Sequence, residues 1–448
     1  MEVEQVKQEG RTGPSDGEAS SLFQAGRRVL MISDHGDPMA PPGGEQTGGQ
    51  NVYVRELARH LGKKGVVVDV FTHWDDPDRP QVEYPFDGVR VIRLAAGKKG
   101  YVPKDRLLRH VPAFVSELGQ MVRRDRRVGS FDRYHLIHSH YWISGRVGRL
   151  LKARTGLPQV HTSHSLGLDK IEHQPRAVDP SRLEEERAVV THADAVVATS
   201  PPEVERLVEG YGAPRERIRV IPCGVDPDVF RPRPGQLPPG REPEELTLFF
   251  AGRFVPQKGV DVLGCAFARL ARGWRGKPLR LVLAGGDGPR VPVADWSPQR
   301  RLLEQILRAG GVRDRVTFLG PVDQERLSLW FHAADVVAVP SRYESFGMVA
   351  LEALASGAAV VASKVGGLSH TVKHGVSGLH VPPVDDEALA AALERLLSDE
   401  ALRRRLRRGA LRQVRREYAW QRIAAAMDAL YQEVGTAWPT PLMAPASS

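Results

Sequence analysis

The sequence predicts an α/β protein of two doubly wound, Rossmann-like domains that face each other across a deep cleft. Three observations predict it. Apolar strand-like runs alternate with amphipathic helical stretches along nearly the whole chain, the pattern of parallel α/β architecture. A proline- and glycine-rich segment splits that series in two. At 448 residues the chain also exceeds one ordinary core.

In order along the chain, residues 1–26 are polar, glycine-bearing and mixed in charge. They lack the apolar core of a signal peptide and are expected to form a disordered leader. An N-terminal domain is expected over 27–229, with strands at Val29–Ser33, Val66–Thr72, Val89–Leu94, Leu136–Ser139, Gln159–Thr162, Ala195–Thr199 and Ile218–Pro222. Helices such as Asn51–Leu61 and Ser144–Ala153 lie between them. Phe230–Gly240 holds four prolines and two glycines, so 230–245 reads as a linker. A second domain over 246–418 offers strands at Thr247–Ala251, Leu279–Ala284, Val316–Leu319, Val336–Pro340, Ala359–Ala362 and Gly378–Val381. Helices Asp386–Leu397 and Ala401–Glu417 follow, then a last one at Trp420–Val434 and a tail from 437 to 448. The cleft between two such domains is the expected ligand site.

Composition excludes several classes. With only Cys223 and Cys265, both in apolar segments, there is no disulfide framework and no cysteine metal cluster. No apolar run approaches membrane-spanning length, so a cytoplasmic protein of a reducing compartment is expected. The 63 basic against 54 acidic residues are scattered, with dense patches only at Arg123–Arg127 and Arg403–Arg416. In the second patch Leu402, Leu406, Leu411 and Val414 recur near helical spacing, making the arginines a solvated face. No nucleic-acid partner is expected; a peripheral contact with anionic lipid and a homo-oligomer stay open.

Three segments carry chemistry. Ser341–Gly357 follows the buried strand Val336–Val339, which puts Glu344 on a strand-to-helix turn and Glu352 inside the helix Met348–Ser356, with Gly357 as its C-cap. Ligands bind at that end of a parallel sheet, although a helix-end carboxylate and a solvated helix glutamate would look the same. Gly43–Asn51 is a glycine-rich turn ahead of the first helix, suited to bringing backbone N–H groups to an anion, and it is not the G-x-G-x-x-G fingerprint. Leu248–Gly259 delivers Arg253 at a strand tip and Lys258 at a helix start. A cation there opposes the helix dipole, but the two together suit a diphosphate, with arginine forking two oxygens and lysine acting as a point charge.

Gly48-Gly49-Gln50, Gly252-Arg253 with Lys258-Gly259, the Glu344/Glu352 pair and Ile221–Asp226 occur in this order. Together they resemble the retaining glycosyltransferases of family four, and the resemblance spans roughly residues 27–436. It implies the GT-B fold and a nucleotide-sugar donor such as UDP-glucose, with no cofactor. Arg253 and Lys258 would hold the diphosphate, Glu344 the sugar hydroxyls and Glu352 the ribose. Backbone amides near Phe346 and Gly347, with the Gly48–Gly49 turn, would complete the donor site. The helix after residue 418 would cross back to the first domain over 419–436. Preorganised cations and amides where the leaving diphosphate gathers charge lower the barrier without a metal, and no Asp-x-Asp motif placed for a metal–diphosphate site stands out.

His138-Ser139-His140-Tyr141-Trp142 and His161 to Lys170 end two adjacent strands. Four histidines there would suggest a metal cage, but no carboxylate or cysteine completes a ligand spacing. The resemblance assigns His164 to the reaction centre, with Arg253, Lys258 and Glu344 as its catalytic company. These segments look most like family members with phosphorylated acceptors: the inositol-phosphate glycosyltransferase of mycothiol synthesis and sucrose-phosphate synthase. The acceptor phosphate would then meet Lys104, Tyr141, Ser165 and Arg182, with Gln50 beside it; alone, Lys104 and Arg182 read as solvated surface charges. Asn51, Val52 and Leu168-Asp169 match neither relative throughout, and Ser165 replaces a threonine of the mycothiol enzyme. The expected activity is retaining, metal-independent transfer of a hexose to a small sugar or polyol phosphate. A lipid-linked or polysaccharide acceptor is the nearer alternative, but it calls for an apolar, lysine-rich docking helix that the first domain lacks. A glycan phosphorylase would need a cofactor-lysine signature that is not found, and a non-enzymatic sugar-nucleotide binder would have no need of Arg253, Lys258 and Glu344 together.

Overall fold

The computed structural model of the chain describes residues 27–40, 48–97, 99–173 and 178–436. The expected leader, the tail, and Gly43 and Gly44 of the glycine turn lie outside the described residues. The first sheet has eight strands, β1 (Arg28–Ile32), β2 (Val67–His73), β3 (Val82–Phe86), β4 (Val89–Leu94), β5 (Leu136–His140), β6 (Gln159–Thr162), β7 (Ala195–Ala198) and β8 (Ile218–Val220). Their spatial order is 3-4-2-1-5-6-7-8. All pair in parallel except β3, an antiparallel edge strand on β4 that the sequence reading did not anticipate. Its half-exposed residues give neither an apolar run nor a clean alternation. Helices α1 (Gly49–Gly62), α2 (Val111–Arg124), α3 (Trp142–Thr155), α4 (Gly167–His173) and α5 (Pro180–His192) connect these strands.

The second sheet is wholly parallel, β9 (Leu246–Ala251), β10 (Leu279–Ala284), β11 (Val316–Gly320), β12 (Val336–Val339), β13 (Val360–Ser363) and β14 (Gly378–Val381), in the order 11-10-9-12-13-14. Its direction of winding reverses between β9 and β12, and such a switch point opens a crevice at the strand carboxyl ends. The arginine and the glutamate singled out above follow these two strands. The helices of this half include α6 (Val260–Gly273), α7 (Met348–Ala355), α8 (Asp386–Ser398), α9 (Glu400–Glu417) and α10 (Trp420–Thr436), besides Pro298–Ala309 and Gln324–Ala333.

Alternation along each strand sends side chains to opposite faces. Val29 and Met31 join one core, Leu30 and Ile32 another. The first of these cores runs on into the second domain by way of α10, whose Trp420, Ile423, Met427 and Tyr431 are all buried in it. Trp420 packs edge-on to Tyr53 and stacks on His60 of α1. Asp428 pairs with Arg27 at 2.6 Å. The last helix therefore lies on the first domain.

One charged cluster is built into the first sheet. Asp69 of β2 is fully buried and accepts from Arg90 at 2.7 Å twice, from Arg28 at 2.9 Å and from Tyr134 Oη at 2.7 Å. Burial alone would raise the Asp69 pKa, but these hydrogen bonds, Arg90 foremost, pull it below the usual carboxylate value. On β4, buried Arg93 bonds Asp37 at 2.6 Å, and Asn51 Nδ2 donates to the Asp37 carbonyl at 2.8 Å. The loop after β1 is thereby fixed against the start of α1. On α9, Leu402, Leu406 and Val414 are buried while Arg404, Arg405, Arg408, Arg412, Arg415 and Arg416 are exposed, a solvated face. Among the described residues no helix is long and apolar enough to cross a membrane.

Candidate functional site

The carboxyl ends of the two sheets meet. On the second domain, Lys258 ends a short 3-10 turn, Pro256–Lys258, and Gly259 caps α6 with φ +64°. A Cβ at Gly259 would stand 2.0 Å from the Pro340 carbonyl oxygen, so only glycine lets this turn approach the end of β12. The two segments are then sewn together. Arg342 N–H donates to Gln257 O at 2.8 Å, and Gln257 Nε2 to Tyr343 O at 3.1 Å. Arg342 also pairs with Asp261 at 2.6 Å. This brings the Lys258 ammonium into an ion pair with Glu344. Arg253 extends from the tip of β9, exposed and without a side-chain partner among the described residues.

Glu344 and Glu352 are both buried, on the turn and in α7 respectively. Burial raises the Glu352 carboxyl to about 8, against the opposing charge of Lys258, so it is largely neutral at pH 7. Gly347, at φ +95°, begins α7. The turn ahead of it is pinned through the Phe346 carbonyl, which accepts from Thr371 Oγ1 at 2.6 Å. The Phe346 and Gly347 N–H groups meet no acceptor among the described residues, leaving free donors at a helix start.

On the first domain, Gly48 and Gly49 begin α1. Gly48 has an extended backbone with φ −167°, and a Cβ there would touch nothing within 4 Å. Neither its conformation nor packing among the described residues accounts for glycine at this position. Gln50 Nε2 donates to Ser33 Oγ at 3.1 Å, tying it to the tip of β1. Arg182 of α5 is buried, not the solvated charge that sequence alone suggests. Its Nε donates to Glu186 at 2.7 Å, Nη1 to Tyr141 Oη at 3.2 Å, and Nη2 to Ser165 O at 3.1 Å and Oγ at 3.3 Å. Tyr141, Ser165 and Arg182, from three elements, thus converge on one point. Lys104 opens the short helix Lys104–Leu107; its side chain lies outside the described residues.

The histidines line the same strand ends. His138 is buried between Tyr431 Oη at 2.6 Å and Thr162 Oγ1 at 2.9 Å. His161 Nδ1 meets Ser139 Oγ at 3.0 Å, and His140 Nδ1 meets His164 Nε2 at 3.0 Å. His164 (φ +60°) and Tyr141 (φ +75°) are two of four non-glycine residues with positive φ among those described. Strained backbone of this kind concentrates at functional sites.

Burial depresses all four imidazoles, His161 and His164 to about 3. The folded protein holds them neutral while an unfolded chain protonates them below about 6.5. Their contribution to stability is therefore complete above that pH and is lost as pH falls toward 3. Between pH 6.5 and 5 the unfolding free energy should fall by up to about 1.4 kcal/mol per pH unit for each imidazole. Urea titrations of the wild type and of His161→Asn check this, the variant giving the shallower slope; parallel slopes would refute it.

A cavity of about 400 Å³ joins the two walls, lined by Ser165, Asp169, Glu203, Tyr343, Glu344 and Gly367 among others. Glu186, Glu203 and Asp34 were missed by the sequence reading. Glu186 carries the detectable signal, an i,i+4 pair with Arg182. Asp34 and Glu203, each raised to about 7 by burial first of all, look in sequence like any other surface carboxylates.

Two family models match. "Glycosyltransferase Family 4" covers residues 47–229 and "Glycosyl transferases group 1" covers 238–413. The D-inositol 3-phosphate glycosyltransferase of Xylanimonas cellulosilytica is 39% identical over 91% of this chain and 97% of its own. That of Nocardia farcinica is 39% identical over 89% and 87%. Sucrose-phosphate synthase from Thermosynechococcus elongatus superposes with a TM-score of 0.82 at 37% identity, covering 92% of this chain and all of that one.

Proposed function

The chain belongs to the family 4 glycosyltransferases of GT-B fold, and from that membership we propose that it transfers a hexose from a nucleoside-diphosphate sugar to a small phosphorylated polyol or sugar. The observation that carries the acceptor class is the convergence of Tyr141, Ser165 and Arg182 on one point, with Ser165 in the lining of the cavity that Glu344 also lines. One guanidinium and two hydroxyls suit a phosphate monoester. The relatives named for inositol phosphate and sucrose phosphate point the same way.

On the donor side, Lys258 and Arg253 meet the diphosphate. The free N–H groups of Phe346 and Gly347 add donors, and Gly48, having no side chain, lets the phosphates approach its backbone closely. Glu344 holds sugar hydroxyls and Glu352, neutral and buried, the ribose. His164 and Gln50 stand at the strand tips beside the reacting carbon. The anomeric carbon–phosphate oxygen bond breaks while the acceptor hydroxyl attacks the same face. Its proton passes to the departing diphosphate, giving retention with charge neutralised by the protein's own cations. Closure of the domains excludes water from this exchange. A cytoplasmic setting agrees with Cys223 and Cys265 both being free thiols.

The test is a screen of purified protein with UDP-, GDP- and ADP-sugars against inositol 3-phosphate, hexose phosphates, their unphosphorylated forms and lipid-linked acceptors, read by product mass and anomeric NMR. The expected product is a glycosylated phosphomonoester with retained configuration, formed in EDTA. Turnover confined to unphosphorylated or lipid-linked acceptors would overturn the acceptor assignment.

A further inference from the structure

Beyond these substrate contacts, the cleft is crossed by a short side-chain hydrogen bond between residues with no role assigned above. Tyr343 Oη, on the loop beside Glu344, donates to Asp169 Oδ2 of α4 at 2.6 Å. The same hydroxyl lies 2.9 Å from Ser345 Oγ. Asp169 Oδ1 accepts from Arg206 Nε at 2.6 Å, so the carboxylate is fixed from its own domain before it reaches across. Burial and the Asp169 charge raise the Tyr343 phenol well above its ordinary value, keeping it a donor.

Each end of this bond is anchored to one half of the site. The first N–H of α4, at Gly167, donates to Glu186 at 2.9 Å, and the next, at Leu168, to Tyr211 Oη at 3.0 Å. Tyr211 Oη in turn donates to Glu186 at 2.5 Å. Glu186 is the carboxylate paired with Arg182. A phosphate drawn to Arg182 competes with Glu186 for that guanidinium, and Glu186 holds the start of α4. At the other end, the Tyr343 carbonyl is held by Gln257, next to Lys258, and Glu344 follows directly in the chain. The Arg182 pair and the Lys258–Glu344 pair are thus joined through α4 and Tyr343.

We propose that the Tyr343–Asp169 hydrogen bond is a positioning contact that couples occupancy of the acceptor-phosphate site to the placement of Glu344 on the donor, so that the sugar is released to the acceptor rather than to water. The proposal rests on the function argued above. Coupling of this kind is reciprocal, each ligand tightening the other by the same factor, typically 5- to 150-fold.

The experiment measures UDP affinity by calorimetry with and without saturating inositol 3-phosphate, and the ratio of UDP-glucose hydrolysis to transfer, in wild type, Tyr343→Phe, Asp169→Asn and the double variant. Tyr343→Phe keeps the ring and its packing. UDP alone should bind it within about twofold of wild type, while the tightening by inositol 3-phosphate falls toward 1 and the hydrolysis ratio rises about tenfold. The double variant should behave like either single one. Unchanged tightening and hydrolysis in Tyr343→Phe, or a wild type that binds both ligands without coupling, would overturn the proposal and leave the transferase reading intact. A wild type that neither binds UDP nor transfers would sink the transferase reading itself.

Discussion

Lys258→Ala should lower kcat/KM for sugar transfer by about 10²- to 10³-fold, the cost of losing one preorganised charge that acts on a developing oxyanion. The ammonium is held where the leaving diphosphate would sit by a turn that only glycine at 259 permits. It also balances Glu344. Removing it leaves a buried carboxylate alone and pushes the Glu352 carboxyl further up, since Lys258 is the charge now opposing that shift. Glu344→Gln isolates the second role: it keeps the volume and a hydrogen-bonding group while discarding the charge, and should cost less than Glu344→Ala. Steady-state kinetics with the best donor, alongside circular dichroism to verify the fold, measure these effects. Near-normal turnover in both Lys258→Ala and Glu344→Ala would remove the donor assignment.

Arg182→Lys should reduce kcat/KM for the phosphorylated acceptor by about 10- to 100-fold, matching the roughly 1.5–3 kcal/mol of a hydrogen bond to a charged group. Turnover of the unphosphorylated analogue should change by less than about threefold. Lysine is the informative replacement because Arg182 is buried and paired with Glu186. Alanine would leave that carboxylate buried and unpaired, at a cost in stability of about 3–5 kcal/mol, and would confuse folding with recognition. Lysine keeps the positive charge and loses the fork that reaches Tyr141 and Ser165 together. Equal losses on both acceptors would mean that Arg182 serves the scaffold and not the phosphate.

Much of the fold was legible in the residues. The parallel strands announce themselves as apolar runs because both faces of each sheet are covered. The bounds expected for Val89–Leu94, Gln159–Thr162, Leu279–Ala284 and Gly378–Val381 are those observed. The edge strand Val82–Phe86 was not legible, since its place in the sheet depends on the neighbour it pairs with. Of the candidate site, the placement of Lys258 and Glu344 on strand-to-helix turns and of Glu352 in the helix that follows was legible, because such turns carry a local signature. Asp169, Tyr343 and Glu203 were not, because a carboxylate or phenol acquires its meaning there from a second domain that sequence distance conceals.

Sequence by itself determined the two α/β halves and the residue types at each strand tip, because periodicity and short-range turn chemistry are local properties; the order of its motifs carried the resemblance to the family. Tertiary structure alone decided that Arg182 is a buried hub and not a surface charge, that Lys258 faces Glu344, and that Tyr343 reaches Asp169 across the cleft. Those outcomes depend on burial and on the meeting of segments as much as 174 residues apart, which only the packed chain can set.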